Sequence, residues 1–198
     1  MLVNNTIDIS VVIPCYNSEQ SLPALMDRLV STLNTMALNY EIILVDDVSK
    51  DNTAQTIHAA TKKHANVVGI ELMNNVGQFI ALMCGLEHSK GDYVITMDDD
   101  LQHAPEDIPS LYKYLQDNPH YDAVFAAPKI KQHSLFRRIG SLFVKKTNEI
   151  IFNKPRNIIM SPFRCLTRNL VNAMTSCKTK YPIMGPLILK LTPRISNI

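Results

Sequence analysis

No stretch of the chain approaches 18 consecutive apolar residues, so no transmembrane helix is encoded. The opening MLVNNTIDIS lacks a basic segment followed by an apolar one, and no secretory signal peptide is expected. The four cysteines (Cys15, Cys84, Cys165, Cys177) are widely spaced and form no CxxC pair. A zinc site or disulfide framework is therefore not suggested, and reduced thiols in the cytoplasm fit better. There is no internal repeat and no low-complexity tract. No RRM, KH or zinc-finger signature is present, and aromatic residues are not interleaved with the basic ones, which argues against a nucleic-acid partner. What remains is a chain of 198 residues, 46% hydrophobic and 19% charged. That is enough for a sizeable core and too apolar for a disordered chain.

Acid is scarce in one part only. Residues 1–127 carry 17 Asp and Glu against 6 Lys and Arg, a balance of −11. Residues 128–198 carry 1 acid against 14 bases, a balance of +13, and the two parts give the net +2. Such a split suggests two surfaces with different partners: an acidic one suited to a metal, and a basic one suited to phosphates or simply solvated.

The first part alternates two periods. β-Branched and apolar runs at 7–13, 40–45, 66–72, 92–97 and 121–126 read as strands. Between them, 22–36, 53–64, 77–88 and 105–115 read as helices, with Ser49, Asp51 and Asn52 offering cap chemistry for the second and Pro105 opening the last. Strands alternating with helices predict βαβ units and a mostly parallel sheet covered on both faces. Residues 134–152 predict a basic amphipathic helix, which either lies on a membrane surface or packs its apolar stripe on the sheet. A loop over 153–161, a short strand at 163–166 and a helix over 168–176 follow, and the chain is then apolar to Leu191.

Ligands of open parallel sheets bind outside the carboxyl ends of the strands. Three polar clusters fall there: Pro14-Cys15-Tyr16-Asn17, Asp46-Asp47 and Asp98-Asp99-Asp100-Leu101-Gln102. Three adjacent carboxylates repel one another, and a divalent cation with hard oxygen ligands, Mg²⁺ or Mn²⁺, relieves this. Asp98 and Asp100 fall on similar sides of an extended turn, with Gln102 two residues on. Asp46 and Asp47 suit hydrogen bonds to a ribose or base, or a helix cap. Asn74, Asn75 and Gly77 form a turn before a helix whose N-terminus could approach an anion. His103 is either a ligand, an acid–base group or an ordinary loop histidine.

The motifs VVIPCYN (11–17), ILVDDVSKD (43–51), NVGQ (75–78) and GDY leading to MDDDLQ (91–102), in this order, resemble an inverting family 2 glycosyltransferase of the GT-A fold, over roughly residues 7–190. DxDLQ followed by PEDIP (105–109), with SLFRR (134–138) and FR (163–164), resembles the polyprenyl-phosphate branch. The resemblance implies a Rossmann-like α/β/α fold with a mostly parallel central sheet in one domain, with 1–127 the nucleotide-sugar and metal half and 128–198 the basic, acceptor-side half. It implies that Pro14, Tyr16, Asn17, Asp47, Asn75, Gly77, Gln78, Asp98 and Asp99 hold the nucleotide sugar. Asp98, Asp100 and Gln102 would hold the metal. Asp100, Arg137 and Arg164 would serve catalysis, and Arg137, Arg138 and Arg164 would meet the acceptor phosphate. It further implies a polyprenyl phosphate or glycan acceptor, and a cytoplasmic location with a peripheral contact at the membrane. Relatives in that branch usually continue into membrane-spanning helices, so the chain is expected to be a truncated form, a fragment or a compact member.

Three positions depart from the family pattern. Ser18 stands where an acid usually follows P-x-Y-N, with Glu19 one later. Val48 stands where glycine is usual, so the turn is expected to differ. Residues 158–162, IIMSP, lack the acid that serves many relatives as a candidate base. A sugar hydroxyl needs a base to become a nucleophile, whereas a phosphate monoester, with its second pKa of about 6, is already anionic. The missing acid and the basic second part favour a phosphate acceptor. The alternatives are a transferase to a saccharide hydroxyl, which needs a carboxylate reaching the acceptor and for which Asp99 is a candidate, and a nucleotide-sugar-binding domain without catalysis.

Overall fold

The computed structural model describes residues 6–127, 158–177, 179 and 182–198. Strand β1 (Ile9–Cys15) is buried along its whole length. Helix α1 (Leu22–Thr35) follows, with Pro23 in its first turn and Leu22, Leu25, Met26, Leu29 and Leu33 on its buried side. The chain continues through β2 (Tyr40–Asp46), α2 (Thr53–Lys63), β3 (Val67–Glu71), α3 (Gln78–His88) and β4 (Tyr93–Thr96). A 3₁₀ turn over Pro105–Asp107 leads into α4 (Ile108–Asp117), then β5 (Ala123–Phe125). After the undescribed stretch come β6 (Arg164–Thr167), α5 (Arg168–Thr175), α6 (Met184–Leu191) and β7 (Ile195–Asn197).

The seven strands form one sheet in the order β3-β2-β1-β4-β6-β5-β7. β1 pairs in parallel with β2 and β4, and β2 with β3. β6 runs antiparallel to both β4 and β5, with Thr96 and Phe125 each opposite Arg164. β7 pairs in parallel with β5. Strands β6 and β7, from the basic part, therefore join the same sheet as the acidic part.

Alternation along β1 separates two cores. Val11 and Ile13 face α1 and α4, among Leu25, Leu29, Leu111 and Leu115. Val12 faces the other way with Ile43, Val45, Ala81 and Leu86 of the α3 side, joined by Leu170, Met174 and Ile188 of α5 and α6. Helices on both faces explain why the central strands are apolar throughout rather than alternating. Gly85 is what lets α3 approach: a Cβ there would sit 2.3 Å from Val12 Cγ1 and 3.1 Å from Val45 Cγ2.

The sheet's amino-terminal end is closed by a polar knot. The buried Glu41 carboxylate accepts from Ser10 Oγ at 2.6 Å and from the Lys90 amide at 2.7 Å. Arg168 donates from Nε to the Gly91 carbonyl at 2.8 Å and from Nη1 to Ser89 Oγ at 3.2 Å.

Two elements escape the sequence pattern. The apolar run before Leu191 contains α6, whose MGPLILKL shows no polar stripe to mark a period. β7 is only three residues long and is held by its partner: Asn197 Nδ2 donates to the carbonyls of Phe125 (3.3 Å) and Ile159 (2.7 Å). The helix expected over 134–152, with Arg137 and Arg138, lies outside the described residues. Among the described residues no helix is long and apolar enough to cross a membrane.

Candidate active site

The carboxyl ends of β1, β2 and β4 open onto a cleft of about 440 Å³. Pro14 and Cys15 line it from the end of β1 and Tyr16 from the loop that follows, Asp47 from the residue after β2, and Asp98, Asp99 and Asp100 from the loop after β4. Asn75, Gly77 and Gln78 close it from the start of α3. Four motifs far apart in sequence thus meet in one place, because β1 lies between β2 and β4.

Asp47 is the hub of one wall. It is 3% exposed, and its two oxygens accept the backbone N–H groups of Val76 (2.7 Å) and Gly77 (2.8 Å). Asn75 Nδ2 donates to the Asp47 carbonyl at 2.8 Å. Gly77, at φ 87°, turns the chain into α3, a conformation L side chains rarely adopt. Val48, beside the hub, has φ 59°, so the position keeps a backbone that suits glycine although a valine occupies it. Asp46 does not face the cleft. It is buried, and it accepts the hydroxyl and amide of Ser49, which stiffens the turn after β2. At the start of α2 the Oδ1 of Asp51, one residue before the N-cap position, accepts from the Thr53 amide at 3.0 Å.

The loop after β1 is tied on two flanks. On the β2 side Asn17, at φ 54°, accepts from the Lys50 amide through Oδ1 at 2.8 Å, and the Ser18 amide donates to Thr53 Oγ1 at 2.7 Å. Glu19 turns away from the cleft and accepts from the Asn52 amide at 2.9 Å. On the β4 side Asp99 Oδ2 accepts from the Tyr16 amide at 3.2 Å and from the Ser18 hydroxyl. Tyr16 itself remains 45% exposed at the cleft.

Asp98 is half-buried and receives a 2.5 Å hydrogen bond from Gln78 Nε2. Burial, then the charge of Asp100, raises its pKa above the ordinary carboxylate range; Asp99 adds to this, and His103 and Arg164 oppose it. Among the described residues no group of three or more His, Cys, Asp and Glu side chains forms a ready-made metal cage. The residues present nonetheless fit a hard divalent cation. Asp98 and Asp100 share the cleft, offer oxygen only, and carry charge that no salt bridge offsets among the described residues. Mg²⁺ typically binds through one or two carboxylates plus water and phosphate oxygens.

Three expected site residues do not line the cleft. The Asn17 side chain is spent on the Lys50 amide. Gln102 is exposed and contributes its amide to Asp100 Oδ1 at 3.0 Å. Arg164 is 5% exposed; its Nε donates to Thr96 Oγ1 at 2.9 Å, and its guanidinium lies 6.0 Å from the centre of the Phe125 ring. Burial lowers its pKa to about 10, with Asp98 acting against the shift, so it is a charged group set beneath the aspartate loop. His103 stands 5.4 Å from Phe163, ring centre to ring centre. Cys15, which belongs to the first of the three polar clusters but has no role implied by the resemblance, also lines the cleft; burial and then the charges of Asp99 and Asp46 raise its thiol pKa well above the usual value.

Residues 10–175 match the profile described as glycosyl transferase family 2. The chain belongs to that family. Similar curated proteins include the undecaprenyl-phosphate 4-deoxy-4-formamido-L-arabinose transferases of Shewanella sediminis, 39% identical over 92% of this chain and 56% of that protein, and of Pseudomonas fluorescens, 39% identical over 87% and 50%. The family 2 chain thus spans little more than half the length of these relatives. Among solved structures it resembles S. aureus TarS 1–349 in complex with UDP, with a TM-score of 0.63 and 19% identity over 97% of this chain and 58% of that one. It also resembles the Mycobacterium tuberculosis glucosyl-3-phosphoglycerate synthase solved with Mn²⁺, UDP-glucose and phosphoglyceric acid, with a TM-score of 0.67 and 18% identity over 96% and 69%. The fold is GT-A, an α/β architecture around a mostly parallel sheet.

Proposed function

We propose that this family 2 domain transfers a sugar, with inversion, from a nucleoside-diphosphate sugar to a polyprenyl phosphate. The observation that carries this is the cleft itself, where Pro14, Tyr16, Asp47, Gln78 and the aspartate loop converge at three strand ends. The undecaprenyl-phosphate transferases among the relatives support the acceptor.

The residues divide the work. Tyr16 and Pro14 offer a half-exposed wall for the base, and the turn held by Asp47 shapes the pocket for the ribose. Asp98 and Asp100 would hold a divalent cation, Mg²⁺ or Mn²⁺, together with the donor diphosphate. Such an ion, when bound, supplies charge neutralisation for the leaving diphosphate. Arg164 adds fixed positive charge from beneath the same loop. In the reaction an oxygen of the acceptor phosphate attacks the anomeric carbon as the bond to the diphosphate oxygen breaks on the opposite face. The nucleoside diphosphate leaves with the electron pair. No base is needed, since the acceptor arrives anionic. This suits residues 158–162, which carry no acid. Arg137 and Arg138 would meet the acceptor phosphate, with the basic 128–198 part at the cytoplasmic face of a membrane.

Calorimetric titration of UDP and GDP, each with and without Mn²⁺, followed by transfer of labelled sugar to a short polyprenyl phosphate, tests the reading. Metal-dependent binding of one nucleotide and product formation support it. Failure of a folded protein to bind either nucleotide overturns the donor site. Unchanged turnover in Asp100→Ala overturns the metal assignment.

A further inference from the structure

We propose that Asp99, the middle residue of the triple aspartate, is a positioning residue. It staples the Tyr16 loop to the loop that carries Asp98 and Asp100, and so couples ion binding to nucleotide binding. The coupling rests on the donor-site reading above; the staple itself does not.

Asp99 stands apart from its neighbours in what it touches. Asp98 faces Gln78 of α3, and Asp100 is exposed and accepts from the amide of Gln102. Asp99 instead reaches across to β1, a partner more than 80 residues away in sequence. Its Oδ2 accepts from both the Tyr16 amide and the Ser18 hydroxyl. Two donors occupy both lone pairs of that oxygen, so it has no capacity left for an ion or a sugar. Ser18 is 5% exposed, and its amide is also fixed on Thr53. The opposite flank of the loop is anchored by Asn17 on Lys50 and Ser49. Among the described residues Asp99 is the side chain that hydrogen-bonds the loop from the β4 side.

The consequence is mechanical. An ion held by Asp98 and Asp100 orders the backbone on both sides of Asp99. That fixes the carboxylate, and the carboxylate fixes the Tyr16 amide and with it the base wall. Coupling between two sites through a shared element typically changes affinity about 5- to 150-fold.

Hydrogen exchange of the Tyr16 and Ser18 segment, with and without Mg²⁺ and with no nucleotide present, tests the staple. In Asp99→Ala, exchange at the Tyr16 amide is expected to quicken by roughly tenfold or more, the loss of a charge-assisted hydrogen bond, while α1 and α4 keep their protection. Asp99→Asn, which keeps an acceptor oxygen, should recover most of the protection. Mg²⁺ should slow exchange in the wild type and leave Asp99→Ala unchanged. In titrations, Asp99→Ala should weaken UDP or GDP about 5-fold or more while Mn²⁺ alone binds within about twofold of wild type. Unaltered exchange in Asp99→Ala overturns the staple, and loss of Mn²⁺ binding as complete as in Asp100→Ala makes Asp99 a ligand instead. If the wild type binds neither nucleotide, the donor reading and the coupling fall, and the exchange result alone decides the staple.

Discussion

Replacing Asp47 by Asn keeps the shape of the side chain and removes one acceptor. Both carboxylate oxygens are committed, at 2.7 and 2.8 Å, to the amides of Val76 and Gly77, and the residue is 3% exposed. An amide offers one oxygen and one NH₂, so one of those N–H groups must face a donor. The surviving bond falls from charge-assisted to neutral, a loss of about 1 kcal/mol. The broken one costs its own contribution and leaves its N–H short of a partner, about 1–3 kcal/mol. Together these give about 2–4 kcal/mol, which for a chain of this length lowers the melting temperature by roughly 5–15 °C. Circular dichroism melts and urea titrations at pH 7 measure it. The expected companion is faster exchange of the Val76 and Gly77 amides. If neither stability nor exchange changes, while nucleotide affinity falls, Asp47 serves the ligand directly and the hub assignment is refuted.

Three further outcomes are expected. Gly85→Ala should destabilise by about 1–3 kcal/mol in urea titration, because its Cβ would overlap Val12 and α3 cannot retreat without opening the core. Asp98→Asn should stabilise the metal-free protein at pH 7 while abolishing Mn²⁺ binding by calorimetry. The folded pKa of Asp98 is raised, so its charge costs stability above that pKa and nothing below the unfolded value. The gain should therefore fade as urea titrations are moved to acid pH. A thiol reagent at pH 8 should modify the partly exposed Cys84 and Cys177 first and reach Cys15 and Cys165 only on unfolding, since burial shields both and raises their pKa.

Much of the first 127 residues is legible in the sequence because its signals are local. Apolar runs ending in Pro14, Asp46-Asp47 and Asp98 mark strand ends, and parallel pairing sends all those ends to one edge. The direction of β6 is not local: nothing in Arg164–Thr167 states that it runs against β4 and β5, since that depends on how the chain returns. β7 is set by β5 and by the Asn197 side chain rather than by its three residues. In the site, residue types revealed the gathering of acids but not their division of labour. Asp46 and Asp47 are neighbours, yet the last residue of β2 turns to Ser49 and the one after it to the α3 turn. The resemblance alone assigns Arg164 to a phosphate, and its burial between Thr96 and Phe125 follows from the sheet pairing, which its own sequence does not state.

The antiparallel placement of β6 has an architectural consequence. Phe125 and Arg164 face each other across a strand pair, and the Ala126 amide reaches the Phe163 carbonyl at 2.9 Å. The described residues before and after the excursion in sequence therefore meet at a single seam, beside Thr96 and two residues from Asp98. The ends are already joined, so the length of the excursion adds little entropy cost, about 0.6 kcal/mol per doubling. A seam of this kind works as a socket: β5 and β6 are paired with each other whatever the number of residues between 127 and 158, so a change in that number leaves the strand ends around the cleft in place.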